Sequence, residues 1–159
     1  MRDPDTDPDL QMATDVESLL KKQRVAHLAT VTPDGRPHVV PVVYAYEGSH
    51  FYIALDDKPK RTSPLKLQRV RNIQANPLAS MLVDVYDENW ARLVWVRADG
   101  VARILRRGKA HDRAIELLRS KYPQYRAMSI EPNPVIEIKV TRLVHWTARG
   151  ADRAPGSSP

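Results

Sequence analysis

Cysteine is absent from the 159 residues, which excludes a disulfide framework, thiolate nucleophiles and thiolate metal ligands. A metal site would need histidine and carboxylate. The five histidines (His27, His38, His50, His111 and His145) lack the His-x-x-x-His spacing that sets two ligands on one helical face, so no metal is expected. No apolar run approaches the length of a membrane span, and the Asp-rich start is not a signal peptide. The expectation is a cytoplasmic protein with no membrane span. Internal repeats and an interior linker are also missing, which leaves one domain as the default.

What is present fits a globular chain, with 42% hydrophobic and 28% charged residues. A net charge of +6 favours an anionic partner. The lysines and arginines are spread along the chain, and no helix-turn-helix or zinc-finger pattern accompanies them. Nucleic acid is therefore not the expected partner.

Residues 1–13 are polar and punctuated by proline, and 150–159 read the same way. Both are expected to be disordered tails around a domain at 14–149. Thr14-Asp15-Val16-Glu17 has the form of a capping box, with Val16, Leu19 and Leu20 on one face of a short helix ending near Gln23. The period then changes to two. A strand over Arg24–Val31, a turn at Thr32-Pro33-Asp34-Gly35 and a long strand over Arg36–Tyr46 lead through Glu47-Gly48-Ser49 to a third strand, His50–Leu55. After a helix from Pro64 to Asn76 come strands at Leu78–Val85 and Arg92–Leu105, the latter bent at Asp99-Gly100. An amphipathic helix over Gly108–Tyr122 and a last strand over Val135–Ala148 complete the pattern. Six strands with hairpin links and flanking helices predict a mainly β fold, a closed or partly closed antiparallel barrel.

The stretch with the most chemistry is Asp56–Pro64. Lys58, Lys60 and Arg61 place three cations within four positions, followed by Thr62 and Ser63. Ser63 suits a helix N-cap and Pro64 the first helical position, so unpaired N–H groups and a positive dipole end would sit beside the cations. Such a turn is either a solvated strand-to-helix link or a seat for a phosphate.

The succession of segments resembles the pyridoxamine 5′-phosphate oxidase-like split-barrel flavin proteins. The matching pieces are Arg24–Val31, Asp34-Gly35-Arg36-Pro37-His38-Val39-Val40-Pro41-Val42, Lys58-x-Lys60-Arg61, Val70-Arg71-Asn72-Ile73-x-x-Asn76-Pro77 and Ala79–Val83. Asp57–Thr62 and Trp90–Gly100 are similar to the actinobacterial group that uses the deazaflavin F420. The resemblance spans roughly residues 14–148. It implies a six-stranded antiparallel split β-barrel, a homodimer, and a cofactor in a groove between subunits. By the same resemblance, Lys58, Lys60, Arg61 and Thr62 take the phosphate, and the ring lies along His38 to Val42, against Val40, Pro41 and Val42. Trp90 and Trp95 would then approach from the other subunit. The pyridoxal-phosphate contacts of true pyridoxamine phosphate oxidases have no match in the last strand, which argues against vitamin B6 oxidation.

The implied activity is hydride transfer between F420 and a small organic substrate, with FMN as the alternative cofactor and a non-catalytic F420 carrier as the alternative class. No protein acid, base or nucleophile is obligatory for a hydride step, so no catalytic residue is assigned. Three charge-assisted bonds give roughly 5–8 kcal/mol. Association costs at least about 4 kcal/mol, and micromolar binding needs about 8. Apolar contacts to the ring must supply the difference. His38 is either a hydrogen-bond partner of the ring, a proton donor, or a strand-edge residue. Trp90 either stacks on a ring or packs an interface. Arg69 and Arg71 either meet the polyglutamate tail of F420 or form a solvated helix face.

Overall fold

The computed structural model describes residues 8–56 and 63–151. Four helices, α1 (Pro8–Lys22), α2 (Gln68–Ala75), α3 (Lys109–Lys121) and α4 (Ala148–Ala151), flank seven strands. These are β1 (Ala26–Val31), β2 (Pro37–Val42), β3 (Ala45–Glu47), β4 (His50–Ala54), β5 (Leu78–Val85), β6 (Val94–Leu105) and β7 (Val135–Thr147). All pair antiparallel in the order β2-β1-β5-β6-β7-β4-β3.

That order dictates the shape. β2 and β3 occupy opposite edges of the sheet, yet only Val43 and Tyr44 separate them in the chain. Two residues span about 10 Å at most, so the edges must be brought together and the sheet must curl. The result is a split barrel.

Seven strands replace the six expected because the strand over Arg36–Tyr46 is broken. Tyr44 turns its backbone away from any strand: its N–H donates to the Tyr122 hydroxyl (3.2 Å), and that hydroxyl donates in turn toward the Tyr44 carbonyl (3.0 Å). The Tyr44 phenol donates to the Leu20 carbonyl (2.6 Å), tying α1 to the break. The Lys121 ammonium lies 3.9 Å from the Tyr44 ring centroid, a cation–π contact.

Alternation sorts the strand residues onto two faces. Leu28, Met81, Val83, Val96, Ala98, Phe51, Ile53, Ile136 and Ile138 fill the interior, plugged by Val16 and Leu20 of α1 and by Val70 and Ile73 of α2. On the far side of β4 and β7, Tyr52, Ala54 and Val135 pack under Ala114, Ile115 and Leu118 of α3. β4 and the first four residues of β7 (Val135–Ile138) are therefore buried on both faces. The β3–β4 hairpin turns on Gly48 and Ser49, both at positive φ (55° and 62°), the type I′ geometry whose twist matches the strands.

The bend expected at Asp99-Gly100 is a bulge. The β6–β7 register slips there, leaving Thr141 as the extra residue, and its hydroxyl donates to the Asp99 carbonyl (3.2 Å). A Cβ on Gly100 would stand 2.4 Å from the Lys139 carbonyl oxygen, so only glycine fits.

Two helix starts differ from expectation. α1 begins at Pro8, ahead of Thr14, because proline suits the first helical position. The segment from Pro64 is a single 3-10 turn (Pro64–Lys66), and α2 proper starts at Gln68 after an extended Leu67. Ser63 makes no side-chain cap.

Candidate functional site

A cleft of about 270 Å³ opens where β2 and β4 end beside α2. Pro41, Val42 and Val43 form one wall, Ile53 and Ala54 the other, and Asp56, Arg69 and Tyr125 bring polarity to it. Each is placed by fold logic. β2 and β4 diverge here because the break at Tyr44 sends the chain from one sheet edge to the other. Tyr125 sits on a 3-10 turn (Pro123–Arg126) that Arg119 staples to α3, donating to the Tyr125 carbonyl (3.0 Å) and the Met128 carbonyl (2.9 Å) and pairing with Glu131.

Arg69 is the unusual group. It follows Gln68 at the first turn of α2, on the flank of the face that buries Val70 and Ile73. Its Nε is buried and has no hydrogen-bond partner. Burial pulls its pKa down, opposed by the negative charge of Asp56 and by Tyr125. The Tyr125 phenol is pushed up to about 12, by burial first and then by Asp56 and Tyr122. Buried donors in folded proteins are nearly always satisfied, and a guanidinium remains charged. A half-buried guanidinium with an idle donor has the chemistry to bind an anion.

The expected site residues are distributed as follows. Pro41 and Val42 line the cleft. Val40 stands opposite Leu28 and packs against the barrel interior, and His38 stands opposite Thr30 on the same inward side. Thr30 accepts from Asn72 (3.0 Å), which accepts from Gln68 (2.7 Å), and the Nδ1 of His38 is buried without a partner near the end of this chain of bonds. Trp90 is 69% exposed on a separate 3-10 turn (Trp90–Arg92) and does not line the cleft. Lys58, Lys60, Arg61 and Thr62 lie outside the described residues, between Asp56 at the cleft and Ser63. Asp56, Arg69 and Tyr125 were not singled out as cleft residues from sequence; Arg71, also considered, is exposed and donates to Gln68 (2.7 Å).

A second cleft, about 430 Å³, lies on the outer face of the sheet between Leu82, Trp95, Arg97, Tyr86 and Trp146. Leu82 belongs to a transverse row, Pro41–His27–Leu82–Arg97–Val144, given by the strand registers. The row beside it holds Ser80, whose hydroxyl donates to Asp99 (2.7 Å), and Asp99 also pairs with Arg97 (3.1 Å). Val39, Leu78 and Val101 leave this face 59%, 61% and 43% exposed.

A family model described as pyridoxamine 5′-phosphate oxidase matches residues 12–147. The chain belongs to the pyridoxamine 5′-phosphate oxidase family. Among solved structures, a conserved hypothetical protein from Mycobacterium tuberculosis superposes with a TM-score of 0.71 at 22% identity, covering 92% of this chain and 91% of its own. A FAD-binding protein from Mesorhizobium loti gives 0.62 at 24% identity, covering 84% and 92%. A protein named F420 reductase gives 0.56 at 26% identity, covering 80% and 94%. Other superposable family-like barrels are named for heme. None of the curated protein sequences compared with it matches. No helix among the described residues is long and apolar enough to cross a membrane.

Proposed function

We propose that this family member is an oxidoreductase that holds a flavin-type cofactor, F420 in the first instance, with the cofactor's phosphate toward Arg69. The observation that carries this reading is the buried, partnerless Nε of Arg69 in a cleft of mixed polarity at the end of β4. The cleft fits the group: a guanidinium for an anion, a carboxylate at Asp56 for a polyol hydroxyl, and the N–H-free wall of Pro41 for an apolar ring edge. Lys58, Lys60 and Arg61 add cations to the same anion, as the resemblance implies.

A deazaflavin or flavin supplies hydride chemistry when bound. This chain's task is to hold the phosphate, to shelter the ring with Pro41, Val42 and Val43, and to keep bulk water from the apolar wall. A second copy of the chain completes the site by covering the outer sheet face. The exposed Val39, Leu78, Leu82 and Val101 on that face support this, since apolar side chains gathered on one face and rimmed by polar ones mark interaction surfaces.

Titration of the purified protein with F420, FMN and hemin, followed by tryptophan or cofactor fluorescence, tests the reading. Saturable F420 binding, with turnover on an enone and quinone panel, is the expected result. Tighter FMN binding transfers the reaction to FMN; F420 binding without turnover on the panel makes the protein a carrier. Hemin alone binding ends the flavin reading.

A further inference from the structure

The mouth of the barrel holds a cleft that the cofactor reading does not use. α1 lies across this mouth and anchors itself through Val16 and Leu20, but it does not fill the space between itself and the neighbouring strand ends. The space left is about 460 Å³. Its walls come from three separate parts of the chain: Val16 and Leu19 on α1, Leu93 and Val94 at the start of β6, and Arg149 on α4. Val94 has the same parity as the buried Val96 and Ala98, and with Leu93 it stands between this space and the outer-face cleft. The Ala148 N–H donates to the Leu93 carbonyl (3.1 Å) and ties the end of β7 to that wall.

The chemistry of the cleft is two-sided. Val16, Leu19, Leu93 and Val94 make an aliphatic slot, and Arg92 and Arg149 stand exposed at one rim. Arg92 pairs with Asp87 at 3.5 Å in a loose, half-exposed contact that leaves the rest of its guanidinium fork facing the cleft. Asp15 and Thr147 also line the space, with Asp15 on the α1 side. An anionic head is thereby directed to the arginine rim and away from α1. Barrel mouths of 300–1,000 Å³ with apolar walls and few polar groups are common small-molecule sites.

The geometry points to a binding site for an amphiphilic carboxylate, a medium-chain fatty acid, with its chain between Val16, Leu19, Leu93 and Val94 and its head at Arg92 and Arg149. An aliphatic slot favours an alkyl chain, and two guanidiniums at one end select a carboxylate over an alcohol. This site shares no lining residue with the cofactor cleft at the end of β2 and β4.

Calorimetric titration of the full chain with hexanoate, octanoate and 1-octanol tests it. Octanoate is expected to saturate one site per chain and to bind about 15-fold more tightly than hexanoate, two methylenes at about fourfold each. 1-Octanol should bind at least tenfold more weakly than octanoate. The double variant Arg92→Gln/Arg149→Gln should lose at least tenfold in octanoate affinity with an unchanged melting temperature, because both side chains are exposed. Octanoate should leave F420 or FMN titrations unmoved. Equal binding of alcohol and acid, wild-type affinity in the double variant, displacement of the acid by the cofactor, or no saturable binding would each overturn the assignment.

Discussion

The hydroxyl of Tyr122, at the end of α3, completes the backbone of Tyr44, 78 residues earlier in the chain. It stands where a neighbouring strand would otherwise supply partners, and its single proton is shared between the Tyr44 carbonyl (3.0 Å) and the Arg24 carbonyl (2.8 Å). Removing that one oxygen in Tyr122→Phe leaves a buried N–H and carbonyl unpaired, which costs about 1–3 kcal/mol. Urea denaturation should show the midpoint fall by that amount with little change in slope; an unchanged midpoint would mean the bond adds nothing to stability.

Gly100→Ala should be among the most destabilising single-methyl additions in the barrel. The added carbon meets backbone at Lys139 and the Cγ2 of Ile138 (2.8 Å), neither of which is a free side-chain end. A loss of about 2–3 kcal/mol, read from the melting curve, is expected.

Arg69 separates affinity from stability. Replacing it with alanine removes a charge-assisted bond to the cofactor phosphate, and about 1.5–3 kcal/mol corresponds to roughly 10–150-fold weaker binding. The ligand-free protein should melt at the same temperature or higher, because a guanidinium with an unmet donor is no longer buried. Arg69→Lys should recover only part of the affinity, since it keeps the charge and loses the planar fork.

Lys121 gives the folded state an unusual response to alkali. Its ammonium is buried against Tyr44 and without a hydrogen-bond partner; burial, and then repulsion from Arg24, bring its pKa down to about 8. Between about pH 8 and the unfolded value near 10.5, the unfolded chain binds the extra proton, so stability should rise with pH across that window. The gain is on the order of 1 kcal/mol after allowance for solvent screening. Burial raises the pKa of Tyr44, Tyr122 and Tyr125, which reverses the trend once unfolded tyrosines ionise above pH 10. Denaturation at pH 7, 8.5 and 9.5 reads the rise, and Lys121→Met should flatten it.

Leu82→Arg tests the second copy. The substitution replaces an exposed apolar contact with a second cation beside Arg97 and leaves the interior untouched, so sedimentation should shift from dimer to monomer with the fold intact. A wild-type protein that sediments as a monomer would remove the need for that face to be covered.

Much of the architecture was legible because strand parity and turn residues are local signals. Gly48-Ser49 and the bend at Asp99-Gly100 were read from neighbours alone. The break at Val43-Tyr44 was not, since Val42 to Tyr46 carries no glycine, proline or Asx turn signal and its interruption depends on Tyr122. Ser63 misled for the opposite reason: it has the right residue type for a cap, but Leu67 adopts an extended backbone and starts α2 four residues later. Pro41 and Val42, in the segment that carries the resemblance, border the cleft. The burial of Arg69 and Tyr125 has no local signal, because it is created by α2 and a 3-10 turn that meet only in the folded chain.

The short strap of Val43 and Tyr44 also bears on how this sheet behaves among other proteins. An open sheet offers its outermost strands as templates for aggregation, and this one folds its two borders toward each other. β2, the longer of those borders, carries prolines at Pro37 and Pro41, which have no hydrogen to offer an incoming chain. Lengthening the strap would part the borders and expose them, so an insertion there should bring clumping during synthesis where the same insertion at Thr32–Gly35 would pass unnoticed.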